Sequence, residues 1–100
     1  LASLTDDAKT ELDIFVKTLD YFPKSKFKID AHTPTSGSDA ANQTLSENRA
    51  IAVRKYLIAN GVDESRITKS TGHGEKKPLE GVDGGSSENR RVEISFESYE

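Results

Sequence analysis

Residues 91–98 read Arg-Val-Glu-Ile-Ser-Phe-Glu-Ser, so Val92, Ile94 and Phe96 alternate with Glu93, Ser95 and Glu97. Successive side chains of a strand point to opposite faces, so this octet is a strand with a single apolar face. Residues 26–31 repeat the pattern, with Phe27, Ile29 and Ala31 set against Lys26, Lys28 and Asp30. A sheet built from such strands needs one covering layer and not two.

Helices are the natural cover. Thr5 followed by Asp6 and Asp7 is a helix start, with a capping hydroxyl and then acids beside the positive end of the dipole. Leu4, Ala8, Leu12, Phe15 and Leu19 recur at helical spacing, and Pro23 is expected to end the element. Residues 32–43 are rich in Thr, Ser, Gly, Asp and Asn and read as a loop, with room for a short helical turn at its end. Ser46 is the expected cap of a second helix with the stripe Val53, Tyr56 and Leu57, closed by Asn60 and a left-handed Gly61. Residues 66–71 form a further strand, followed by a polar, glycine-rich loop up to Asn89. The expected order is helix, strand, helix, strand, strand: an α/β (α+β) two-layer sandwich, one domain over residues 1–100.

Composition narrows the function. The net charge of −3 gives no phosphate-driven affinity for nucleic acid and no pull toward anionic lipid. No apolar run approaches the twenty residues of a membrane span, so this segment is not expected to insert directly. Cysteine is absent, which removes disulfides, thiolate zinc sites and cysteine nucleophiles together. His32 and His73 have no third ligand at metal-binding spacing, and Ser36, Ser38 and Ser46 have no identifiable base. Neither a metal, nor a cofactor, nor an enzymatic activity is expected.

Arg49 stands out. It precedes Val53 by four residues and Tyr56 by seven, on or beside the inward stripe, and in the first turn after Ser46, where the dipole disfavours a cation. Such a charge needs an anion. That anion is either an internal carboxylate, Asp30 or Asp39, or the carboxylate of a ligand held by the guanidinium fork. Arg90 and Arg91 lead into the last strand, so one can reach the helix-side rim while the other faces away.

His32-Thr33, Gly37-Ser38, Asn42, Leu45-Ser46, Arg49-Ala50, Val53, Tyr56-Leu57, Gly61-Val62, Arg66-Ile67, Gly72, Gly74-Glu75, Pro78 and the run from Asn89 through Arg90, Arg91, Val92 and Glu93 to Ile94 occur in an order that resembles the OmpA C-terminal family. That family includes peptidoglycan-associated lipoproteins and flagellar stator B subunits. The resemblance implies a β-α-β-α-β-β fold with a mixed sheet and the last strand antiparallel between the first and second. This chain begins at the first helix, which leaves the opening strand missing or shortened. The resemblance further implies a periplasmic, non-catalytic module tethered to the outer membrane by a segment outside this chain. Its partner would be peptidoglycan, gripped at the diaminopimelate of the stem peptide, with other envelope proteins as further partners. Arg49 would take the ligand carboxylate, assisted by Arg90, with Thr33 and Asn42 in the pocket wall.

One departure bears on affinity. Where the family has His-Thr-Asp, this chain has His32-Thr33-Pro34, so the acid that meets the ligand ammonium is gone. Losing one charge-assisted contact costs roughly 1.5–3 kcal/mol, about one to two decades of affinity. Either another acid, Asp39 or Asp30, takes its place, or the fold is a degenerate scaffold that serves protein–protein contacts in an envelope assembly.

Overall fold

A computed structural model of the chain describes residues 4–98. Helix α1 (Asp6–Leu19) is capped by Thr5, whose side chain accepts the Ala8 amide hydrogen. It stops at Leu19, four residues before Pro23, and a run of turns carries the chain into strand β1 (Lys26–His32). Helix α2 (Asp39–Ala59) follows, and after a short 3-10 turn comes strand β2 (Ile67–Gly72). Strand β3 (Arg91–Ser98) is the last of the described elements and has the limits its alternation implied.

Among the described residues the sheet has three strands in the order β2-β1-β3, with β1 parallel to β2 and antiparallel to β3. The mixed sheet and two covering helices form the expected two-layer sandwich. No strand pairs with the other edge of β3 among these residues. The core lies between the layers, where Phe27, Ile29 and Ala31 meet Leu12 and Leu19 of α1 and Ala50, Val53 and Leu57 of α2. Phe15 packs edge-on to Phe27, with ring centroids 5.0 Å apart. Ile94 and Phe96 pack against this core, but Val92 remains 36% exposed.

The second helix begins earlier than expected. Its cap is Ser38, which accepts the Ala41 amide hydrogen, and so the segment that reads as loop contains the first turn of α2. Ser46 is not a cap. It is fully buried inside the helix, where its hydroxyl donates to the Gln43 carbonyl and accepts the Gly74 amide hydrogen. Arg49 is therefore about three turns into α2 and not in its first turn. The close approach of β2 to α2 requires a glycine: a Cβ on Gly72 would lie 2.3 Å from the Glu47 backbone nitrogen. At the far end Asn60 and Gly61, with φ of +99°, terminate α2 as expected.

Candidate functional site

Side chains on a helix lean toward its N-terminus, so Arg49 reaches back along the flank of α2 that faces α1. It enters a groove of about 540 Å³, walled by Leu12 and Phe15 of α1 and by Val92 and Ile94 of β3. Arg90 lines the same groove. Arg91 borders the groove as well, and the two neighbouring arginines differ in their bonding. Arg91 turns to bond Glu93 and the Lys77 carbonyl, while Arg90 is exposed at the groove.

The groove's lining carries Arg49, Arg90 and Arg91 against one acid, the exposed Glu11 of α1. The described ion pairs are Arg54–Glu64, His73–Asp30 and Arg91–Glu93, and none involves Arg49. Its Nη1 is buried without a hydrogen-bond partner. Burial first, and the nearby Arg90 charge second, hold the Arg49 pKa below its ordinary value. A guanidinium that is desolvated, repelled and short of an acceptor is stabilised by any anion that enters.

Neither acid weighed as its partner reaches it. Asp30 follows the β1 alternation onto the sheet face away from the helices, where its Oδ1 lies 2.6 Å from His73 Nε2. Asp39 begins α2, ten residues before Arg49, which is about 15 Å along the helix axis.

Thr33 and Asn42 do not line the groove; they shape the loop at its N-terminal end. Thr33 is 2% exposed, its amide donates to the Gly74 carbonyl at 2.9 Å, and its hydroxyl has no partner. Asn42 is buried, and its Nδ2 donates to the Pro34 carbonyl at 3.2 Å, the Ser36 carbonyl at 2.7 Å and Glu75 Oε1 at 3.2 Å. Asn42 is thus a clamp that holds residues 34–36 against α2. Thr35 donates to the Gly84 carbonyl, and the buried Asn89 side chain donates to the same carbonyl from its place beside Arg90. Loop 33–36, α2 and the start of β3 are therefore one hydrogen-bonded unit. Glu75, matched in the sequence only as part of the Gly74-Glu75 pair, is brought to this unit from 33 residues beyond Asn42.

The family model described as the OmpA family matches residues 2–91. The chain belongs to the OmpA family. Outer membrane porin F of Pseudomonas fluorescens is 40% identical over 79 residues, covering 77% of this chain and 24% of that protein. Among solved structures, the OmpA-like domain of FopA1 from Francisella tularensis superposes with a TM-score of 0.85 at 28% identity, covering 96% of this chain and 65% of that one. The peptidoglycan-associated lipoprotein from Burkholderia pseudomallei gives 0.82 at 26% identity, covering 97% and 83%. OmpA-like relatives of this kind are structural, non-catalytic envelope proteins. The chain spans about a quarter or less of the length of the first curated relatives it matches. Among the described residues no helix is long and apolar enough to cross a membrane.

Proposed function

We propose that this OmpA domain binds peptidoglycan without turning it over, gripping the diaminopimelate of the stem peptide. The observation that carries the reading is the Arg49 guanidinium, half-buried, unpaired among the described residues and faced by a second cation at Arg90. A structural arginine is expected to be paired; one that is left unpaired in a groove suits a ligand carboxylate. The likeness to a peptidoglycan-associated lipoprotein supports the same ligand class. In this reading Arg49 takes the carboxylate, Arg90 assists, and Thr33 shapes the adjoining loop from its buried position. Asn42 acts by holding the loop. The domain works in the periplasm, tethered to the outer membrane by a segment outside these residues, with room for other envelope proteins as partners.

Pro34 favours a second reading, a scaffold that has lost the ligand and mediates protein–protein contacts. Co-sedimentation with purified diaminopimelate-type sacculi separates the two. The binding reading expects wild type to pellet with sacculi and Arg49→Ala to remain in solution with an unchanged melting temperature. Wild type that stays in the supernatant would establish the scaffold.

A further inference from the structure

A diaminopimelate presents its carboxylate and its ammonium on one carbon, so a receptor with two arginines alone is half a receptor. The unit that holds Arg49 also contains an unpaired acid. Glu75 is half-buried, and none of the described ion pairs includes it. Its Oε1 is fixed by Asn42 Nδ2, the nitrogen that also binds the Pro34 and Ser36 carbonyls. The acid is therefore anchored beside the residue that replaces the family aspartate. Thr33, whose buried hydroxyl has no partner, is bonded through its amide to Gly74, the neighbour of Glu75.

The placement along α2 fits a small zwitterion. Asn42 and Arg49 are seven residues apart, two turns, and so nearly share a face at about 10 Å along the axis. The arginine stem leans back toward Asn42 and shortens that span. Glu75, held by Asn42, and Arg49 stand at the two ends of it, and neither belongs to a described ion pair.

We infer that Glu75 replaces the missing aspartate and receives the ammonium of the ligand whose carboxylate Arg49 holds. This rests on the diaminopimelate reading given above. The assignment makes the site a receptor for a zwitterionic centre, assembled from α2 and from the loop after β2. It also explains how Pro34 can be accommodated: the acid arrives from another part of the chain, and Asn42 holds both in place.

The test uses three tripeptides with L-Ala-γ-D-Glu before the third residue. That residue is meso-diaminopimelate, its deaminated analogue lacking only the distal ammonium, or lysine, which lacks the distal carboxylate. Glu75→Gln keeps an oxygen acceptor for Asn42 and removes only the charge. By titration calorimetry, Glu75→Gln is expected to weaken the diaminopimelate tripeptide about ten- to a hundredfold. It should leave the deaminated tripeptide within about twofold of wild type, while Arg49→Ala loses both and the lysine tripeptide binds neither protein measurably. If Glu75→Gln binds diaminopimelate as wild type does while Arg49→Ala does not, the inference is overturned and the ligand reading stands. If Glu75→Gln weakens both carboxylate ligands equally, Glu75 is only a brace for the loop, and the inference is again overturned. Wild type that binds none of the tripeptides overturns the ligand reading and this inference together.

Discussion

Arg66 and Arg49 both reach from the edge of a packed element toward the interior, and they are treated in opposite ways. Arg66 lies beneath the turn between α1 and β1, where its Nε donates to the Ser25 carbonyl at 3.0 Å. Its Nη2 donates to the Phe22 carbonyl at 2.7 Å and to Ser25 Oγ at 2.8 Å. The guanidinium ties the two ends of this turn together: it joins the Ser25 carbonyl and hydroxyl to the Phe22 carbonyl, which also accepts the Ser25 amide hydrogen at 2.9 Å. Arg49 meets walls of leucine, phenylalanine and isoleucine, a like charge, an exposed Glu11 that forms no described ion pair with it, and no acceptor for Nη1. The first arginine belongs to the fold. The second is a cost to the fold that a ligand can offset.

The widest separation between them should appear in stability. Arg66→Met keeps most of the stem but removes the donors that reach the Ser25 carbonyl and hydroxyl, and Ser25 is fully buried. A loss of about 2–3 kcal/mol is expected, a fall in melting temperature on the order of 10–20 °C. Sacculus binding at a temperature where the variant is folded should be unchanged. Differential scanning calorimetry reads the first quantity, and a loss under about 0.5 kcal/mol would erase the contrast with Arg49.

Arg49→Met is expected to move the other way. It keeps apolar stem packing, removes a desolvated cation and relieves its repulsion with Arg90, so stability should rise by up to about 1 kcal/mol. Urea unfolding checks this. A drop of several kcal/mol instead would mean that the guanidinium is an internal partner and not a reserved one.

How much of this contrast could be read from sequence depends on the range of the interaction involved. Strand β3 was legible to the residue, because period-two alternation is a local signal that sheet packing then reinforces. The Thr5 cap was legible for the same reason. The start of α2 was not, because Ser38, Asp39 and Asn42 sit in a run whose composition reads as loop. What makes that run helical is tertiary: Asn42 is buried in clamping residues 34–36. Ser46 misled in the converse way, a hydroxyl that resembles a cap but serves the Gly74 amide 28 residues away. Arg49 was visible as an inward charge, since that needs only helical spacing. That it has no partner was not visible, because Asp30 finds His73 across 43 residues of chain, and nothing local announces the pair.

Pro34→Asp sharpens the comparison at the ligand end. If Glu75 already supplies the anion, a carboxylate at position 34 adds a second negative charge near the first, and affinity for the diaminopimelate tripeptide should change by less than about threefold, roughly 0.6 kcal/mol. A gain of ten- to a hundredfold in calorimetry would mean that the groove had been lacking its acid.

The smallest expected effect lies on the opposite sheet face, where polar groups are packed rather than reserved. His32 is 3% exposed, stacks on His73 with centroids 4.9 Å apart, and has no partner for either ring nitrogen. Burial first, then Arg91 and His73, pull its pKa below 6.5, against the opposite influence of Glu93 and Asp30. The sign follows from linkage. Below pH 6.5 the unfolded chain takes up a proton at His32 that the folded chain resists, so the unfolded state binds more protons and stability falls with pH. Above pH 6.5 both states are neutral there and the contribution is fully present. For a single group the slope stays under about 1.4 kcal/mol per pH unit. Urea midpoints at pH 7.5 and 5.5 should therefore differ more for wild type than for His32→Gln, the remaining titrating groups being common to both proteins. An identical decline in the two would show that His32 accepts its proton equally well in the folded state, with Asp30 and Glu93 offsetting burial.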